Sequence, residues 1–381
     1  MVLSRKRPSR LAGALIAGFF FATAASAEPN DLVLAADSGN MALVTAQLAA
    51  KANVNAKATN GTTPLIMGVA RNHADVVRAL LTAGADPNLP GPGGETPLLL
   101  VAQGGSADIA KMLLERGANV NQDRGDGVTP LMMAAHKHAL AVLRILIAAN
   151  APVNAVDTKL GRSSLMVAAQ DGYADVIQIL LDAKADINLK SPDGLNALFI
   201  AAHFGKADVA KLLLDAGSDA NARLADGSTT LMAACRSGLT ELVQALINAH
   251  SDINARSNDG NTPLMYAAMK GHLEVVRTLL AARVDIGATS GAGVTPLHAA
   301  ALSGNAAVIS ALLAAGAGVN ATDGNGETPI FYAVRSGKVD AVKALVLANA
   351  DWRLKTPGGD TVMTAALVAG SMDVLEYLRS L

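Results

Sequence analysis

The residues of this 381-residue chain whose types could do chemistry are seven histidines, a single cysteine and several aspartates beside glycines. Histidines and carboxylates that converge make metal or acid–base sites, and a thiolate can act as a nucleophile. His136-x-His138 is the one close histidine pair, and no carboxylate or thiol stands near it at ligand spacing in the sequence. An enzyme or metal-dependent protein using His136 and His138 is therefore kept as the alternative reading, and no catalytic residue, cofactor or metal is expected. Asp126, Asp193, Asp226 and Asp259 each sit one residue before a glycine. That placement suits turn formers bonding their own backbone better than paired catalytic carboxylates. The chain has no P-loop, no dinucleotide fingerprint, no zinc pattern and no nucleophile elbow.

The elements that would position these groups are written in glycine. Gly61, Gly94, Gly127, Gly161, Gly194, Gly227, Gly260, Gly293, Gly326 and Gly359 are separated by 33 residues in eight of nine steps and by 34 in the other. One supersecondary unit is copied end to end, which predicts a solenoid whose usable surface is the long face its copies present together. In the copy starting at Gly260, Thr262 can cap a helix and Pro263 suits its first position. Gly271 ends that helix. A second helix follows, with Val275, Val276, Leu279 and Leu280 as its apolar stripe. The unit reads turn, helix, short loop, helix.

These residues resemble the ankyrin repeat family, with its G-x-T-P-L-H-x-A-A start and A-D-x-N-A end. Gly61-Thr62-Thr63-Pro64-Leu65, Gly94-Glu95-Thr96-Pro97-Leu98, Gly127-Val128-Thr129-Pro130-Leu131 and Gly293-Val294-Thr295-Pro296-Leu297-His298-Ala299-Ala300 match it closely. The resemblance runs from Asn30 to Leu381 and implies an all-α repeat solenoid whose turns pair into β-hairpin fingers. It also implies that fingers and first helices line a concave face. About eleven copies are expected: a terminal copy over 28–60, nine internal repeats over 61–358 and a C-terminal cap over 359–381.

Departures from the pattern have local reasons. Asn72 and His138 replace the glycine between the two helices, and Asn150, Lys184, His250 and Arg283 replace the one ending the second helix. Asn and His are enriched among non-glycine residues with positive φ, whereas Lys184 and Arg283 are less easily accommodated. Ser163 and Asn196 keep the cap where Thr-Pro is lost. The extra residue of the 34-residue step falls between Asn154 and Gly161, where it should lengthen one finger. At the ends, Asn30-Asp31 should cap the first helix, and Glu376 and Arg379 should make the last copy's outer face polar.

The repeat absorbs most of the reactive residues. His73 and His272 occupy the family's usual post-glycine site, His298 is its T-P-L-H histidine, and Cys235 aligns with the second Ala of the Ala-Ala pair. Met132, Met133, Met166, Met232 and Met265 recur on the inner side of the first helix, as core filling. His136 and His203 fall on variable first-helix positions two copies apart, about 16 to 20 Å at ordinary helix spacing, too far to share a ligand.

The resemblance places recognition on the fingers and on the two residues before the inter-helix glycine. That row carries His136, Lys137, His203, Phe204, Arg236, Met269 and Lys270, and Lys190, Arg223 and Arg256 form a basic ladder on three consecutive fingers. The expectation is a protein partner with an acidic patch docking across copies four to eight, with Phe204 as an apolar anchor and the ladder supplying orientation.

Composition bounds the setting. Apolar residues make up 51% of the chain, charged ones 17% and aromatic ones only 3%. Arg5, Lys6, Arg7 and Arg10, the apolar run from Leu11 to Ala22 and Ala25-Ser26-Ala27 together read as a signal peptide over 1–27. Its removal takes away four positive and no negative charges, moving the net charge from −1 to −5. A mildly acidic protein is a poor nucleic-acid binder. Cys235 has no partner for an internal disulfide. The expectation is an exported, periplasmic, monomeric protein that leaves the membrane after cleavage, with secretion as an effector against a host protein as the alternative.

Overall fold

The computed structural model describes residues 31–381, so the signal peptide over 1–27 and the Asn30 cap lie outside the described residues. Each first helix begins where a small polar side chain takes up an orphan backbone N–H. Thr63, Thr96, Thr129, Thr229, Thr262 and Thr295 accept from the third helical residue at 3.2–3.4 Å. Ser163 does so at 3.4 Å and Asn196 at 2.8 Å, so both replacements keep the cap. Thr328 is the exception: its hydroxyl is buried and makes no hydrogen bond.

The first helix ends in the left-handed region, with Gly238 at φ 74° and Gly39 at φ 67°. A Cβ on either would come within 3.0 Å of the imidazole of the next copy, His272 or His73. Those two histidines explain the need for glycine. Their Nε2 atoms lie 3.1 Å from Arg236 O and 3.2 Å from Asp37 O, tying one copy to the helix end of the previous one. Asn72 (φ 60°), His138 (φ 56°), Asn150 (φ 59°) and His250 (φ 58°) take the same conformation without glycine, and so do Lys184 (φ 65°) and Arg283 (φ 62°).

Twenty-two helices follow one another in pairs among the described residues. First helices pack on first helices of neighbouring copies and second helices on second, giving two helical layers. Val275, Val276 and Leu279 are buried on the second helix Leu273–Ala281, as their spacing requires. The core is continuous from Leu32 to Leu378. The asparagine ending each repeat adds a polar thread: Asn55, Asn88, Asn154, Asn188, Asn221 and Asn254 each accept, at 2.7–3.1 Å, the backbone N–H of a residue in the next copy.

The fingers differ from the expected β-hairpins. The described residues contain no strand, only isolated bridges between Val156 and Ser163, Arg223 and Thr229, and Lys355 and Thr361. Each finger is a turn too short for a ladder. Ser191 N donates to Leu195 O and Gly194 N to Ser191 O, and that pair of bonds recurs at Ser257, Ser290, Asp323 and Thr356. In the 34-residue copy Gly161 N reaches back four residues to Asp157 O rather than three, so the finger does absorb the extra residue. Fingers also bond to one another, as in Asn258 N to Asp226 O and Gly291 N to Asp259 O, both 2.8 Å.

The C-terminal copy is less polar outside than its sequence suggests. Glu376 and Arg379 are exposed, but Leu367, Val368 and Met372 are exposed beside them, Val368 at 90%. They flank the loop between the last two helices.

Candidate partner-binding face

The variable row lies where each first helix ends. His203 closes the helix Ala197–His203 and Phe204 is its C-cap, while Arg236 lies in the last turn of Thr230–Ser237. These three side chains share one cavity of about 230 Å³. Its helical walls include Phe199, Ile200, Met232, Ala233 and Tyr266, and its finger side is made by Arg162, Leu195, Leu224, Asp226 and Ser228. Fingers and first helices of copies five to eight thus enclose a common space.

Inside it, Phe199 stacks on His203 with ring centroids 6.1 Å apart, and His203 meets Phe204 edge-on at 5.1 Å. Arg236 Nη2 lies 2.5 Å from His203 Nδ1. A guanidinium only donates, so His203 accepts there and is neutral. Burial holds its pKa below the ordinary histidine value, and the Arg236 charge pushes the same way. Phe204 remains 48% exposed and forms a wall rather than a free-standing knob.

The remaining residues of the row are exposed but do not reach this cavity. His136 and Lys137 lie in copy four, and Met269 and Lys270 at the end of Pro263–Lys270. The finger ladder is partly committed within the chain. Arg223 Nη1 donates to Arg256 O at 3.2 Å, with Asp252 Oδ2 3.8 Å from Nη2, and Arg256 Nη2 donates to Thr289 O. Both guanidiniums therefore staple one finger to the next while keeping their charge. The cause is their reach: an arginine on one finger spans the distance to the next finger's carbonyl. Lys190 is exposed and makes no hydrogen bond or ion pair among the described residues.

The absence of carboxylates near His136 and His138 is also corrected. His136 Nδ1 lies 2.8 Å from Asp171 Oδ2, and His138 Nε2 2.8 Å from Asp175 Oδ2. Both acids come from copy five, 35 and 37 residues away, where a search by local spacing does not look. Asp175 stands below the usual carboxylate pKa because the bonds from His138 and the Val176 N–H outweigh its partial burial. Each histidine keeps its own acid. No three metal-ligating side chains converge among the described residues.

Cys235 is fully buried, and burial pushes its thiol far up, away from thiolate chemistry. His298 is buried too, with Nδ1 2.8 Å from Thr295 Oγ1 and Nε2 3.0 Å from Glu327 O, so it links copies nine and ten. Met132, Met166, Met232 and Met265 are buried core residues. Asp126 and Asp226 bond the backbone N–H two residues on, at 3.1 and 2.9 Å, as turn formers do.

Sequence reasoning missed Arg162, Phe199, Tyr266, Ala233 and Ser228. A signal was present for one of them: the fourth position of successive first helices reads Ile200, Ala233, Tyr266, a small side chain between two large ones. Arg162 and Ser228 needed the finger geometry.

A family model for ankyrin repeats, three copies to a match, fits residues 32–124, 117–191, 198–290 and 282–356. No curated protein matches the chain. Repeats of this kind generally mediate protein–protein contacts and are typically non-catalytic, and no helix among the described residues is long and apolar enough to cross a membrane. With most of its length matched, the chain belongs to the ankyrin repeat family.

Proposed function

We propose that this chain is an exported, non-catalytic module that holds a partner protein on the face built from its fingers and first helices, centred on copies five to eight. The observation that carries the reading is the convergence of His203, Phe204 and Arg236 with finger side chains around one cavity. Aromatic and arginine side chains in a walled recess are the usual centre of a protein interface. Lys137, Lys190 and Lys270 add exposed positive charge across copies four to eight, which suits an acidic partner on a chain otherwise of net negative charge. The leader-like residues 1–27 support export, with the periplasm as destination, and eleven copies acting as a monomer complete the reading.

The alternative, acid–base or metal chemistry at His136 and His138, gains two histidine–carboxylate pairs, but both histidines are exposed and each pairs with a separate acid. The test is photo-crosslinking in the producing cells from Lys137, Phe204 and Lys270, against Arg277 on a second helix. The same adduct from the three first-helix positions, absent from Arg277 and found in the periplasmic fraction, supports the module. Adducts equal at all four positions would overturn the assigned face, and a cytoplasmic adduct would overturn export.

A further inference from the structure

In two copies the finger residue after the repeat glycine bonds the first-helix residue eight positions later. In copy ten it is Glu327 with Arg335, joined by two bonds of 2.5 Å. In copy five it is Arg162 with Gln170, bonded with the polarity reversed. In copy seven the same two positions hold Ser228 and Arg236, and nothing joins them. A serine stops short of the guanidinium that a glutamate reaches. Arg236 turns instead to neutral His203, and no ion pair to it exists among the described residues.

Donors are in excess around this cavity. Arg162 Nε is buried with no hydrogen-bond partner, and the Tyr266 hydroxyl, which lines the same space, makes no hydrogen bond among the described residues. A buried unsatisfied donor costs free energy that an anionic ligand recovers. One carboxylate, Asp226, lines the cavity, its Oδ1 bonded to the Ser228 N–H and not to Arg236. Beneath the donors the cavity is apolar, because Ala233 leaves room between Ile200 and Tyr266. Its volume of about 230 Å³ compares with roughly 150 Å³ for a protein cavity that admits benzene.

We infer that this cavity takes one bulky apolar side chain of a partner polypeptide, with a neighbouring Asp or Glu of the same segment seated on Arg236. The inference rests on the binding-module reading and names the side-chain chemistry that module selects. Phe204 then closes over the inserted side chain as a wall.

A phage-displayed library of random linear peptides, selected on the full chain, tests it. Enriched peptides should share a large aromatic or aliphatic residue beside an acidic one. Ser228→Glu installs the acid that copy ten already carries and should lower their affinity about ten- to a hundredfold, the range for occupying a charge-pairing site. Ala233→Tyr, a residue type that copies eight and ten hold at this position, should fill the cavity and do the same. Glu327→Ser should leave binding unchanged. Arg236→Gln serves if a variant's melting curve shows misfolding. No enrichment, enrichment without the apolar–acidic pair, or undiminished binding to both Ser228→Glu and Ala233→Tyr overturns the inference. A partner that still crosslinks to Phe204 in Ser228→Glu leaves the module standing while the cavity's role falls.

Discussion

Copies six to eight and copies eight to ten repeat the same pattern with opposite results. Ile200, Ala233 and Tyr266 occupy one helical position in the first stretch, and Tyr266, Ala299 and Tyr332 in the second, each a small residue between large ones. In the second stretch Tyr332 and Arg335 are both matched from within. Tyr332 lies edge-on to His298 at 5.0 Å and gives its hydroxyl to Asp323 Oδ2 at 2.8 Å. Arg335 lies 4.6 Å over the Tyr332 ring while it clamps Glu327. In the first stretch Ser228 stands where Glu327 would, and the cavity stays open with an arginine lacking an acid. The proposed recognition site lies where serine replaces the acid that copy ten supplies to its arginine.

The largest expected effect probes the packing side of that contrast. Phe331 and Phe199 hold the same position, but Phe331 is 1% exposed while Phe199 borders the cavity. Phe331→Ala should cost about 3–5 kcal/mol and Phe199→Ala distinctly less, because part of its ring already faces empty space. Urea unfolding of both variants measures this, and equal losses would break the contrast. Next comes the hydroxyl comparison. Tyr332→Phe leaves the Asp323 carboxylate one bond short and should cost about 1–2 kcal/mol, whereas Tyr266→Phe should stay within about 0.5 kcal/mol. A matching loss at Tyr266 in the same assay would show that its hydroxyl is internally engaged after all.

The smallest effect is on pH. Burial places His298 and His203 below the ordinary histidine value of 6.5, His203 with help from Arg236. As pH falls below that value the unfolded chain protonates first, so stability present above it is lost toward the lower folded-state pKa values. Asp323 is also depressed, its burial outweighed by bonds from Tyr332 and two backbone N–H groups. Its contribution is present above the ordinary 3.8 and disappears only at lower pH. Thermal midpoints measured from pH 7 to pH 5 should fall less in His298→Gln than in the parent, with a smaller relief for His203→Gln, whose ring is less buried. Unchanged slopes in both variants would remove histidine burial as the cause.

Local sequence reached far into this fold because each repeat is closed by short-range rules. Caps at Ser163 and Asn196, the left-handed His138, and the longer finger before Gly161 all follow from neighbours a few residues away. The candidate face was legible in part: Phe204, His203 and Arg236 stood out by type and position. What escaped depends on reach between copies. Asp171 and Asp175 meet histidines one repeat earlier, and Arg223 and Arg256 bond carbonyls of the following finger. That Arg236 lacks an acid becomes visible when the Glu327–Arg335 clamp is set beside Ser228.

Copy four alone has non-glycine residues, His138 and Asn150, at both of its left-handed helix ends, each conformation costing on the order of 1–3 kcal/mol. The longer finger of copy five adjoins it, and the His138–Asp175 contact bridges the two. In mechanical terms this junction is expected to be the weakest between neighbouring copies. Tension applied to the two ends should unfold copy four first, with copies five to eight and their cavity outlasting it.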